Sequence, residues 1–221
     1  MRARNPSSVG LKLVAGELSL EFANTAAWHA SGTPKELLRS YQDLVTWGRR
    51  AGLLDAHDAG RLLREAGRRP AAAAVVLQRA IAIRETIYRI VLALLEEREP
   101  APSLLKGFNR ELKRAFRRLH VVPGSRNLVW NWESDPRDLD AMLFPILRSA
   151  ADLLTSARRR RIGQCADDRG CGWLFLDTTK NRSRRWCQMG DCGNRAKARR
   201  HYQRFRGMDR RSAHRRASRS E

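Results

Sequence analysis

CADDRGCGWLFLDTTKNRSRRWCQMGDC, residues Cys165 to Cys192, contains all four cysteines of the chain. Their spacing is Cys-x5-Cys-x15-Cys-x4-Cys, two close pairs separated by an apolar and then basic stretch. Four thiolates complete a tetrahedral zinc shell, and close pairs bring them together at little loop-closure cost. Four merely buried thiols would not explain the pairing. A shell closed by Cys165, Cys171, Cys187 and Cys192 leaves no position for water, so the metal is expected to be structural. Zn2+ is the expected ion, with iron the lesser alternative.

Around these ligands the chain reads as a small module. Residues 172–177 are strand-like, 178–183 turn-like, and 184–187 are expected to return as the second strand. Cys192 stands before a helix expected over 194–206, whose N-terminal partial charge favours a thiolate. Knuckle, hairpin and a last ligand at a helix start make a treble-clef-like arrangement. Trp173, Phe175 and Trp186 supply a miniature core, too small to fold without the metal. The helix carries Arg195, Lys197, Arg199, Arg200, Arg204 and Arg206, and the hairpin adds Arg182, Arg184 and Arg185. Phosphate neutralisation needs such a surface, and arginine also reaches guanine edges. An ordinary solvated face mixes charge signs more evenly.

The wider charge balance agrees. The chain of 221 residues has net charge +21. From Arg158 to Glu221 there are 20 Lys and Arg against 6 Asp and Glu, a net +14, while the first 157 residues carry +7. Such asymmetry favours a polyanionic partner for the C-terminal part. Hydrophobic content of 42% permits a packed core. The basic start MRARNPSSVG is followed by no apolar run of signal-peptide length, so a reducing cytoplasm, close to the nucleoid, is expected. The most apolar stretch, Ala71 to Leu95, is interrupted by charges and reads as an amphipathic helix, which argues against a membrane partner.

Outward from the module the chain reads as mainly α. Leu18, Leu20 and Phe22 fit either a strand or a helix. Ser40 and Asp43 cap a helix to Ala51, and Asp55 caps another to about Arg68. Pro70 opens the strongest helix, to about Glu99, with Val76, Ile83, Ile87, Ile90, Val91, Leu94 and Leu95 inward. Ser103 to Leu119 is the next, with Leu105 and Phe116 on its apolar face. His120–Val122 and Leu128–Trp132 form a hairpin, and a last long helix runs from Pro136 to about Arg159. The expected organisation is a helical domain with a small β-hairpin over 11–157, a treble-clef-like finger (β-hairpin and helix) over 162–206, and a disordered basic tail over 207–221.

The finger resembles the CGNR zinc-finger family, whose motif stands here as Cys192-Gly193-Asn194-Arg195. WLFLD (Trp173 to Asp177), RSRRWC (Arg182 to Cys187) and KARRHY (Lys197 to Tyr202) also match. The preceding region is similar to the ABATE domain through LSLEFANT (Leu18 to Thr25), LVTWGRRAGLL (Leu44 to Leu54) and IRETIYRI (Ile83 to Ile90), with Glu21 where that family would place Asp. The resemblance implies a bacterial, stress-related transcription regulator with a helical sensor domain.

A sensor domain should offer polar groups amid apolar walls. The candidates are Glu21, Asn24, Trp28, Arg84 and Tyr88. A buried Arg84 needs a partner: Glu21 is the favoured one, and a ligand carboxylate the alternative. Asn24 could equally cap a helix. The five histidines are scattered and no P-loop or dinucleotide fingerprint occurs, so no catalytic activity is expected. Duplex DNA is the expected partner, with a small-molecule effector and a homodimer to raise the specificity of a single finger. The alternatives are an RNA-associated protein and a ligand-binding or interaction scaffold with a purely structural finger.

Overall fold

The computed structural model describes residues 12–133, 135 and 137–203. The tail at 207–221 lies outside the described residues. A short helix α1 (Leu18–Ala23) is followed by the two-residue strands β1 (Ala26–Ala27) and β2 (Lys35–Glu36), then by α2 (Tyr41–Arg50), α3 (Ala56–Arg68), α4 (Pro70–Leu95) and α5 (Pro102–Phe116). The hairpin β3 (Leu119–Pro123) and β4 (Leu128–Trp132) leads to α6 (Leu143–Thr155) and a 3-10 turn (Ala157–Arg161). β5 (Ile162–Gln164), β6 (Leu174–Leu176), a π turn (Met189–Gly193) and helix α7 (194–203) complete the described chain.

Local signals explain most helix boundaries. Ser40 Oγ accepts the Asp43 amide, and Asp43 reaches back to the Arg39 amide. Asp55 accepts the Asp58 amide at 2.7 Å. These side chains satisfy amides that a helix start leaves without partners. α4 stops at Leu95, earlier than expected, where Glu97 takes φ +54° and the Arg98 amide closes back on Ala93 O. That closure satisfies the last carbonyls before the prolines are reached.

One open reading is settled and two expectations change. α1 is a helix buried on all sides, with Leu20 and Phe22 fully covered, so it has no solvent face to set a period. α6 begins at Leu143, well after Pro136, which lies outside the described residues. Asp135 and Asp138 capture the Arg137 and Asp135 amides, and Leu139 O accepts the Tyr41 hydroxyl, so the segment is held as a turn. Leu94, Leu95, Leu105 and Phe116, read as inward, are each more than a third exposed.

One core joins α1, α2, α3, α4, α5 and α6 and also takes in Ile162, Leu174 and Leu176. The finger therefore shares its sheet with the helical core. Among the described residues, no helix is long and apolar enough to cross a membrane.

Candidate metal centre

The four cysteine sulfurs all lie within 4.8 Å of one another, and all four residues are buried and free of disulfides. Cys171 and Cys187 sulfurs are 3.8 Å apart, Cys187 and Cys192 sulfurs 3.6 Å. Tetrahedral bonds of about 2.3 Å give a sulfur–sulfur edge of about 3.8 Å, so the set fits a tetrahedral ion such as Zn2+. Crowding of the four sulfurs shifts their thiols in opposite directions. Hydrogen bonds from Cys171 and Cys187 push the Cys165 thiol down to about 2. Sharing of that thiolate raises Cys171 and Cys187, and burial raises Cys192. A cation that neutralises the cluster removes the conflict and releases protons.

The hairpin that presents the first pair is not the expected one. β6 pairs antiparallel with β5, Ile162 opposite Leu176, and residues 184–187 form no strand. Arg184 explains this. Its guanidinium donates to the carbonyls of Val14, Leu176, Trp186 and Cys187, and its amide donates to Asp177, so the segment is tied by one side chain in place of a ladder. Gly163 lets β5 approach β6 closely, since a Cβ there would stand 2.6 Å from the Phe175 ring. Trp173 and Phe175 are buried beside the cysteines, and Trp186 is half-buried.

Cys192 sits in the π turn, directly before α7. Arg195, one turn on, donates Nη2 to Cys192 Sγ at 2.8 Å and to Asp167 Oδ2 at 3.0 Å, and also pairs with Asp191. Asp167 has a fully buried side chain. Burial opposes its charge, but the Arg169 amide and the Arg195 guanidinium hold it at about 2. Arg199 reaches Asp168 and stands 3.9 Å from Asp167. Arg195 and Arg199 thus face the metal knuckle. Arg182, Arg185, Lys197 and Arg200 are exposed. Arg185 and Arg200 lie over the Trp186 ring, 5.3 and 5.9 Å from its centroid. Arg204 and Arg206 lie outside the described residues.

The five candidate ligand residues do not converge. Glu21 is not the partner of Arg84. It accepts the amides of Val14, Ala15 and Gly16, and burial still raises its pKa against those donors. Val14 and Ala15 carbonyls in turn bind Arg184 and the Leu176 amide, so Glu21 shapes the segment on which the finger docks. Asn24 caps nothing. It donates to Leu174 O at 2.9 Å and accepts the Leu174 amide at 2.8 Å. Trp28, at φ +57°, lies under the guanidinium groups of Arg169 and Arg195. These three residues serve the junction with the finger.

Arg84 and Tyr88 do share a cleft, of about 420 Å³, with His29, Glu36, Glu85 and Arg89. Arg84 is bidentate to Glu36 at 2.7 Å, and Glu85 is a second partner. Burial opposes the Arg84 charge, and the two carboxylates raise its pKa overall. Glu85 is lowered to about 2, chiefly by its bond to His29. Tyr88 stacks on His29, donates to Gly172 O and accepts from Gln164. Asp167, Asp191, His29, Glu36 and Glu85 escaped the sequence reading. Only Asp191, four residues before Arg195, carried a local signal.

A model of the CGNR zinc finger matches residues 161–205. The model of the ABATE family, described as "Putative stress-induced transcription regulator", matches residues 16–157. Among curated proteins no relative matches the chain. The ABATE match covers well over half of the 221 residues, and the four-cysteine cluster falls inside the CGNR match. The chain belongs to the ABATE family, and its helical core is joined to a CGNR zinc finger.

Proposed function

We propose that this protein is a regulator that binds duplex DNA through its finger, with Zn2+ held by Cys165, Cys171, Cys187 and Cys192 as a structural ion. When bound, the ion neutralises the thiolates and fixes the knuckle. The residues do the rest. Arg195 and Asp167 orient the last ligand, and Trp186 gathers Arg185 from the loop and Arg200 from α7 around its ring. That gathering is the observation that carries the reading. Among the described residues neither arginine has a carboxylate partner, so each is free to neutralise a phosphate.

The test is a duplex selection from a random library at near-physiological salt, using zinc-loaded full-length protein. An enriched motif supports a sequence-specific regulator, and a paired motif supports a homodimer. Arg185→Ala and Arg200→Ala should each weaken binding and lower its salt slope by about one. Unchanged slopes in both variants would remove the finger from the DNA. Stronger binding of structured RNA at matched salt would favour the RNA reading.

One observation favours a scaffold with a structural finger. Cys171 O and Gly172 O bond His29 and Tyr88, so the knuckle also staples the helical core. The cleft around Arg84 supports the sensor role. A carboxylate ligand there would compete with Glu36, and thermal stabilisation of the full chain by small carboxylic acids would reveal it.

A further inference from the structure

The helical core carries a second concentration of positive charge, remote in sequence from the finger. Residues 102–126 contain seven Lys and Arg against one Glu, a net +6 of the +7 that the first 157 residues carry. The remainder of that region is therefore almost neutral. Lys106, Arg110, Lys113, Arg114 and Arg117 follow one another at helical steps of four, three, one and three. At about 100° per residue they fall within roughly a third of the helix circumference, opposite the buried Phe108 and Ala115.

All five are exposed. Among the described residues no carboxylate pairs with Lys106, Lys113, Arg114 or Arg117, nor with Arg126 in the β3–β4 turn. Arg110 has only a 3.5 Å contact with Glu111, which Arg79 holds at 2.6 Å. The finger offers a contrast, because Arg195 and Arg199 are neutralised by Asp167, Asp168 and Asp191. An ordinary solvated helix face intersperses acids at three- and four-residue steps. Here none does.

We propose that the exposed face of α5, from Lys106 to Arg114 with the C-cap Arg117, is a second nucleic-acid surface that contacts the phosphodiester backbone. The stripe spans about 16 Å, a length over which duplex DNA presents about ten phosphate charges. Such contacts position a duplex and carry no base specificity. The choice of duplex as partner rests on the reading of the finger, but the charge and geometry of α5 do not. A helical core that holds DNA leaves the finger to search the sequence within an already bound complex.

The experiment uses zinc-loaded full-length protein and a random-sequence duplex, with affinity followed by fluorescence anisotropy across a salt series. A variant with Lys106, Arg110, Lys113, Arg114 and Arg117 all changed to Gln should lower the slope of log K against log salt by about four. A variant with only Lys106→Gln, Arg110→Gln and Lys113→Gln should lower it by two to three. This grading separates lost contacts from misfolding, and equal melting temperatures check it. A finger variant with Arg182, Arg185, Lys197 and Arg200 changed to Gln is run in parallel. A lower slope in the α5 variants with none in the finger variant upholds this surface and removes the finger. The reverse result overturns the α5 surface and leaves the finger reading intact. Anionic phosphatidylserine vesicles form the last arm: vesicle binding that the α5 variants abolish, with DNA slopes unchanged, would also overturn the proposal.

Discussion

Arg195 closes the CGNR motif, and a cationic residue on the finger helix would ordinarily be assigned to phosphate. The structure gives it another task. It bonds Cys192 Sγ at 2.8 Å, Asp167 at 3.0 Å and Asp191. Arg195→Ala leaves the fully buried Asp167 carboxylate with the Arg169 amide, the Arg169 guanidinium at 3.5 Å and the more distant Arg199. Losing a charge-assisted bond to a buried group costs about 1.5–3 kcal/mol. Residues that orient a metal ligand contribute 10- to 100-fold in metal affinity, which is about 1.4–2.7 kcal/mol. The two routes agree near 2 kcal/mol. Competition against a chromophoric chelator should show zinc affinity weakened 10- to 100-fold. The melting temperature should fall by about 4–8 °C. DNA binding should return towards the parent value once zinc is in excess. Zinc affinity within twofold of the parent, with DNA binding lost even at saturating zinc, would refute the reasoning and make Arg195 a phosphate contact.

Three further substitutions probe the junction and the cleft. Asn24→Ala strips the buried Leu174 amide and carbonyl of both partners, and should cost about 2–4 kcal/mol in denaturant melts with little change in zinc affinity. Gly172→Ala is strained by φ +68° and places its Cβ 2.5 Å from the Ala30 amide nitrogen, so it should destabilise by more than about 2 kcal/mol and expose the His29 amide, which donates to Cys171 O, to hydrogen exchange. Glu85 has a folded pKa lowered to about 2. Its contribution is therefore fully present above its unfolded pKa and is lost as pH falls towards 2. Glu85→Gln should melt lower than the parent near neutrality, and the gap should narrow below about pH 4.

The legible parts share a local cause. A helix cap is settled within three residues, so Ser40 with Asp43 and Asp55 with Asp58 disclosed α2 and α3. Four cysteines in two close pairs disclosed the cluster, because few other arrangements use such spacing. The illegible parts depend on groups far apart in the chain. The sequence offers Arg84 many acids, and only proximity of β2 to α4 selects Glu36 over Glu21. Strand pairing was misread for a similar reason: β5 and 184–187 both flank β6 in sequence, and the Arg184 guanidinium takes the second out of contention.

By itself, then, the sequence determined a mainly helical chain with a four-cysteine finger and an excess of cations, because periodicity, caps and ligand spacing are short-range properties of the covalent chain. Tertiary structure decided which cations are free. It turned Arg184 and Arg195 inward to carbonyls, carboxylates and a ligand sulfur, and, among the described residues, left Arg185, Arg200 and every cation of the α5 face but Arg110 without a carboxylate partner. Charge is written in composition, but its neutralisation falls off over a few ångströms. It is therefore settled only when the fold brings opposite charges into contact.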